Sequence, residues 1–147
     1  MGTIEHCNET NALLPFREGL FVIEKNGIGY LLGNRCRRCG ITFFPRRVFC
    51  IECSQSDNLE DVKLSTMGTL HTFTTVYRAT SDFKTPYIVG YVDLENDGVR
   101  VFSPLSDCQA EELKIGMKMQ LIFGTRHKIA KDENDKRRLT YKFRPLK

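Results

Sequence analysis

The chain has 147 residues, 41% hydrophobic and 27% charged, which gives room for one ordinary domain or two small modules with a real core and excludes wholesale disorder. Its net charge of +4, from 22 basic and 18 acidic residues, is mild for a protein that binds polyanions by charge alone. Fully apolar runs reach only about four residues where a membrane-spanning helix needs roughly 20, and Glu5 and Glu9 interrupt any amino-terminal signal, so a cytoplasmic, membrane-free protein is expected.

Charge is distributed unevenly along the chain. Residues 1–34 have 2 basic and 4 acidic side chains, net −2; residues 35–53 have five arginines against Glu52, net +4; residues 54–67 return to −2. The domain organisation read from these shifts is an amino-terminal arm and hairpin over 1–34, a ribbon and hinge over 35–67, and a barrel over 68–147. In the arm, Leu13, Leu14, Pro15 and Phe16 suggest a short helix around 8–18 or a segment that orders on a partner. Leu20–Ile23 and Ile28–Leu32 then flank Asn26-Gly27, the signature of a type I′ hairpin turn.

Four of the six cysteines fall as Cys36-Arg-Arg-Cys39 and Cys50-Ile-Glu-Cys53. In a chain without secretion signals, two such pairs point to a metal rather than to disulfides. Each pair makes a tight knuckle that aims two sulfurs at one point, and two knuckles complete the thiolate tetrahedron that structural Zn²⁺ favours. Gly40 suits the sharp turn after the first pair. One Zn²⁺ per chain on Cys36, Cys39, Cys50 and Cys53 is the expected reading, with a redox-active pair or an iron site as the alternatives. Arg35, Arg37, Arg38, Arg46 and Arg47 would screen the negative charge of four thiolates.

Residues 54–67 are polar and acidic and read as a hinge. Beyond it, Gly68–Tyr77, Pro86–Leu94, Val99–Phe102, Met117–Phe123 and Leu139–Phe143 read as strands, with a turn at Asn96-Asp97-Gly98. Ser106–Ile115 reads as a helix, with a Ser106/Gln109 capping box and Gly116 as its stop. Five strands with one short helix between the third and fourth match a Greek-key OB-fold barrel. The predicted fold class is mainly β: arm and hairpin, four-cysteine zinc ribbon, then OB-fold. The charged stretch Lys128–Arg138 reads as a solvated loop.

An OB-fold binds single-stranded nucleic acid by stacking bases on aromatics, and Phe73, Tyr77, Tyr87, Tyr91 and Phe102 are candidates for such a platform. The competing reading is favoured: aromatics in barrel strands are mostly core, and a net charge of +4 is weak for an electrostatic binder. His6, His71 and His127 are scattered, with His71 expected on the barrel wall. Cys108 opens the predicted helix, whose amide dipoles would lower its pKa, but no histidine lies near it in sequence. Cys7 has no role assigned. The chain alone is therefore expected to be noncatalytic.

The ordered set Pro15-Phe-x-x-Gly-Leu20, Cys36-Arg-Arg-Cys-Gly40, Phe44-Pro-Arg46, Cys50-Ile-Glu-Cys53, Gly68-Thr-Leu70, Pro86-Tyr-Ile-Val-Gly-Tyr-Val-Asp93, Gly98-Val-Arg-Val-Phe102, Leu113-Lys-Ile-Gly-Met117 and Tyr141-Lys-Phe143 resembles one family over residues 12–145. That family joins a rubredoxin-like zinc ribbon to an acyl-CoA-associated OB-fold. The resemblance implies an accessory subunit of a thiolase-superfamily complex acting on an acyl-CoA ester, the thiolase of anaerobic aromatic degradation being one specific candidate. A subunit of a thiolase-fold acyltransferase or retro-aldolase is an alternative, as is an OB-fold nucleic-acid module. It implies a thiolase-fold partner that carries the nucleophilic cysteine, while the barrel helps to bind the CoA ester. Guanidinium groups bind phosphate oxygens bidentately, which makes Arg37, Arg38, Arg46 and Arg47 the candidate CoA-binding residues. Family members have a helix leading into the ribbon, where Asn26-Gly27 here indicates a hairpin.

Overall fold

The computed structural model describes residues 3–4, 14–15, 17, 19–80, 84–125 and 138–146. Among them the strands are, in chain order, β1 (Thr3–Ile4), β2 (Leu14–Pro15), β3 (Phe21–Ile23), β4 (Gly29–Cys36), β5 (Thr42–Phe43), β6 (Leu59–Lys63), β7 (Met67–Val76), β8 (Tyr87–Leu94), β9 (Arg100–Leu105), β10 (Lys118–Thr125) and β11 (Arg138–Pro145).

The hairpin forms as expected, with β3 antiparallel to β4 and Ile23 opposite Gly29. Its turn is not type I′, because only Gly27 takes a positive φ, of 84°, and Asn26 does not. Instead Gly27 N–H donates to the Glu24 carbonyl at 2.9 Å and Glu24 N–H to that of Ile28 at 2.8 Å, a turn closed by a left-handed glycine. Asn26 contributes through its side chain, which accepts from Ile28 N–H at 3.0 Å.

The stretch read as a hinge contains β6, which pairs with β4 from Leu32↔Lys63 to Cys36↔Leu59. Its polar composition follows from its position, since most of its side chains face solvent and only Leu59 and Val62 are half-buried. Strand β4 runs from the hairpin into the first cysteine pair, so one strand carries both features. The expected helix around 8–18 lies largely outside the described residues, and within it Leu14–Pro15 is a strand parallel to β11. The Lys128–Arg138 loop likewise lies outside them, except for Arg138.

The five barrel strands match the expected ones with small shifts at their ends. Antiparallel pairs join β7 to β8, β8 to β9, β10 to β11 and β10 to β7. A parallel contact of β9 with β11 at Leu105↔Phe143 closes the circuit, giving the OB-fold order. Alternation along the strands sends Val92, Leu94, Val101 and Leu105 inward to meet Leu70, Met119, Leu121, Phe123, Leu139 and Phe143. Leu31 of the hairpin and Leu64, just after β6, join this core, so the segment before the barrel shares its interior. At that seam the Phe21 ring lies 5.0 Å from Phe123 and the Phe44 ring 5.7 Å from Tyr141.

The helix expected over Ser106–Ile115 shrinks to a 3₁₀ turn, Ala110–Glu112. Asp107 adopts a positive φ of 56° and Gln109 is extended, so helical geometry cannot start where Ser106 would cap it. Ser106 N–H is instead tied to the Phe143 carbonyl at 2.9 Å. The capping box falls three residues later, between Gln109 and Glu112, and the turn ends at an extended Leu113. Gly116, at φ 92°, is therefore not its stop but belongs to the next turn, where its N–H donates to Leu70 O at 2.8 Å. Among the described residues no helix is long and apolar enough to cross a membrane.

Candidate metal centre

Two short turns carry the cysteine pairs, and their backbones repeat one pattern. In the first, Gly40 N–H donates to the Cys36 carbonyl at 2.7 Å and Cys36 N–H to Ile41 O at 2.9 Å. In the second, Ser54 N–H donates to Cys50 O at 2.8 Å and Cys50 N–H to Gln55 O at 3.1 Å. Both turns end in a left-handed residue, Gly40 at φ 75° and Ser54 at φ 59°. The matching offsets make the knuckles two copies of one device, although only the first has the glycine such a conformation favours.

The turns bring the sulfurs of Cys36, Cys39, Cys50 and Cys53 within 4.8 Å of one another. Cys36 Sγ and Cys53 Sγ are 3.8 Å apart, which is the edge of a tetrahedron with metal–sulfur bonds of about 2.3 Å. Cys36 and Cys50 are buried with Phe43 in a small core completed by Ile41, Cys53 and Leu59, while Cys39 is exposed. The Cys39 amide donates to Cys36 Sγ at 3.5 Å. Desolvation, followed by hydrogen bonds with the other three thiols, pushes the Cys39 thiol up to about 12. The Cys53 and Glu52 amides favour the thiolate of Cys50 and bring it down to about 7. Four thiols gathered within 4.8 Å are the donor set of a soft, tetrahedral cation.

A buried side chain absent from the sequence-based expectations holds the two halves together. Asn34, on β4, donates through Nδ2 to the Arg47 carbonyl at 2.6 Å and accepts the Arg47 N–H at 3.1 Å. It thereby pins the approach to the second knuckle. Its signal in the sequence was a lone amide on a strand that is otherwise apolar at every inward position.

The candidate CoA-binding arginines are all exposed but differently engaged. Arg46 forms a 2.9 Å salt bridge with Asp61, and the Arg47 guanidinium lies 5.6 Å over the Phe43 ring. Arg37 and Arg38 stand on the first knuckle. Of the five platform aromatics, Tyr77, Tyr91 and Phe102 are exposed, whereas Phe73 and Tyr87 are half-buried. Tyr91 and Phe102 face each other across β8 and β9, with rings 5.2 Å apart. Beside them the next cross-strand pair, Asp93 and Arg100, makes a bidentate bridge at 2.6 and 3.2 Å. His71 is an exposed residue at the bulge of β7, its Nδ1 3.6 Å from Asp93. Cys108 precedes the 3₁₀ turn, so the helix dipole invoked for it is missing. It lines a recess of about 370 Å³ with Tyr77, Tyr87, Ile88 and Leu105. His6, Cys7 and His127 lie outside the described residues.

A four-cysteine ribbon packed on a closed OB barrel defines a zinc-ribbon and OB-fold protein. Residues 27–60 match the ChsH2 rubredoxin-like zinc ribbon domain and residues 61–124 the ChsH2 C-terminal OB-fold domain. The chain belongs to the DUF35 family. It is 34% identical over 120 residues to a DUF35 domain-containing scaffold protein of Methanocaldococcus jannaschii, covering 79% of this chain and 82% of that one. It is 33% identical over 117 residues to the benzoylsuccinyl-CoA thiolase subunit BbsA of Thauera aromatica, covering 80% and 77% of the two chains. A solved structure described as the Ltp2-ChsH2(DUF35) aldolase shares the fold, with a TM-score of 0.62 at 23% identity over 79% of this chain and 84% of that one.

Proposed function

We propose that the chain is a noncatalytic, zinc-holding accessory subunit of a thiolase-like complex that acts on an acyl-CoA ester. The observation that carries this reading is the likeness to BbsA, a thiolase subunit, which extends over four-fifths of the chain and so takes in both ribbon and barrel. The ion is one Zn²⁺ on Cys36, Cys39, Cys50 and Cys53. The tetrahedral 3.8 Å edge supports it, as do four thiolate donors that leave no open position for catalysis. The metal then holds the knuckles in register and contributes directly to folding.

Carbon–carbon cleavage of a 3-oxoacyl-CoA needs an activated thiolate, a base and an oxyanion hole already in place. Four thiols here serve the ion, and the partner supplies the reacting groups. The contribution of this chain to the ester is orientation. Arg37 and Arg38 are the better candidates to hold CoA phosphates, because Arg46 is paired with Asp61 and Arg47 lies on Phe43. The aldolase named among the structural relatives keeps a retro-aldolase complex as the second reading, and that likeness concerns the fold.

The test is co-expression with a thiolase-fold catalytic subunit. The expected result is one stable complex by size exclusion, acyl-CoA turnover only in that complex, and one zinc per chain by elemental analysis. Charge reversal at Arg37 and Arg38 should raise the KM for the CoA ester with little change in kcat. Turnover by the isolated chain would overturn the assignment.

A further inference from the structure

We infer that the second knuckle is the point at which this chain docks on its catalytic partner, through Val48, Phe49 and Ile51. The inference rests on the accessory-subunit reading above and names the surface that serves it. These side chains are 73%, 59% and 61% exposed, three large apolar groups within four consecutive positions. Single exposed apolar residues are ordinary, but a cluster marks an interaction site. With Arg47, Cys50 and Ser54 they line an open groove of about 610 Å³.

The local geometry forces them outward. Cys50 must turn its sulfur into the cluster and is 1% exposed, so the residues on either side of it, Phe49 and Ile51, face solvent. The turn is also rigid. Its backbone is closed by the Ser54 and Cys50 amides, and the Asn34 side chain clamps the Arg47 peptide from both sides. A preformed apolar surface loses little conformational freedom on association.

Charge selects the occupant. The segment 35–53 has five arginines against Glu52, and Arg47 sits on the rim of the groove itself. A second copy of this chain would bring like charge against like, which opposes self-association. The matching surface is an apolar depression rimmed by Asp and Glu on the catalytic subunit, and arginine beside aromatic anchors is the usual make-up of such a contact.

The experiment uses the full-length, zinc-loaded chain and the purified thiolase-fold subunit as the probe, with affinity measured by calorimetry and rates by biolayer interferometry. Phe49→Asp and Ile51→Asp should each weaken binding by at least about 30-fold, and Phe49→Leu should stay near wild type. Arg47→Glu should slow association at about 0.05 M salt and lose most of that effect at about 0.5 M. Tyr91→Asp, on the barrel face, should change affinity by less than about threefold. Zinc content and melting temperature certify that each variant is folded, and Val48→Asp replaces any that is not. A folded Phe49→Asp chain that binds as tightly as wild type overturns this docking surface and leaves the accessory role intact. A wild-type chain that forms no complex overturns the accessory role and this inference with it. A homodimer abolished by Phe49→Asp overturns it by reassigning the patch to a second copy.

Discussion

Gly29 marks the place where the hairpin meets the barrel, and Gly29→Ala probes how closely they fit. A Cβ at this position would lie 2.2 Å from Cε2 of Phe123, 2.8 Å from Cζ and 2.9 Å from Cδ2. Carbon atoms pack at about 3.5–4.0 Å, so the ring would have to recede by more than about 1 Å. It has little space to do so, since Phe123 is fully buried and Phe21 lies against it. Overpacking of this kind costs about 1–3 kcal/mol, and the lower entropy of an unfolded chain with alanine returns about 0.4–1 kcal/mol. The net expectation is a loss of about 1.3 kcal/mol, or roughly 3–5 °C in melting temperature for a chain of this size. Urea titration of the zinc-loaded protein, followed by circular dichroism, measures it. Phe123→Leu should relieve the crowding, so Gly29→Ala/Phe123→Leu should lose at least about 1 kcal/mol less than the two single losses added together. Strict additivity, or a Gly29→Ala variant as stable as wild type, refutes close packing at this seam.

Cys39→Ser and Cys50→Ser should lose the metal and unfold the ribbon, seen as zinc release and a lower melting temperature, because ligand loss removes binding energy that is also folding energy. Ser54→Gly should stabilise the chain by about 0.5–1 kcal/mol in urea titration, since Ser54 holds a left-handed conformation that a side chain disfavours. The Arg100 hydrogen bonds hold the Asp93 carboxyl below its usual value of 3.8. Its contribution is therefore present above about pH 4 and lost as pH falls through the lowered value. Asp93→Asn should lower the melting temperature at pH 7 by a small, salt-sensitive amount, and that difference should shrink as the pH falls below 3.8. Single-stranded oligonucleotides should bind only weakly at about 0.15 M salt, by fluorescence anisotropy, and tight binding with protection of bases would favour the nucleic-acid reading.

The four-cysteine cluster and the barrel strands were legible because their signals are local: cysteines at fixed spacing, and alternating runs such as Pro86–Leu94. The features that were misread depend on distant contacts. Strand β6 looks like a hinge because its polar residues face solvent, and only its partner β4 reveals it. The Ser106–Ile115 helix has good local propensity, yet Ser106 is bonded to Phe143 and Asp107 is left-handed, so the barrel overrides it. Asn26-Gly27 marked the hairpin correctly but not its turn, which pairs Ile23 with Gly29 and seats that glycine under Phe123. The Val48, Phe49 and Ile51 cluster lies beside the cysteines, whose spacing is the stronger signal. Its signal was there to read, because residues that flank an inward-pointing ligand on a tight turn have nowhere to go but outward.

The two shortest strands have a consequence for handling the protein. Thr3–Ile4 lies alongside Ile122–Phe123 of β10, beyond the part of β10 that pairs with β7. Leu14–Pro15 lies alongside Arg138–Leu139 of β11, beyond its single contact with β9. The amino-terminal segment thus covers both flanks of the β10–β11 ribbon where it leaves the barrel wall. Trimming the chain to begin at the hairpin would strip these flanks and leave two rows of backbone donors and acceptors open to another chain, the geometry from which edge-to-edge aggregation and strand exchange begin. Expression of the ribbon and barrel as a soluble unit therefore depends on keeping Thr3–Ile4 and Leu14–Pro15.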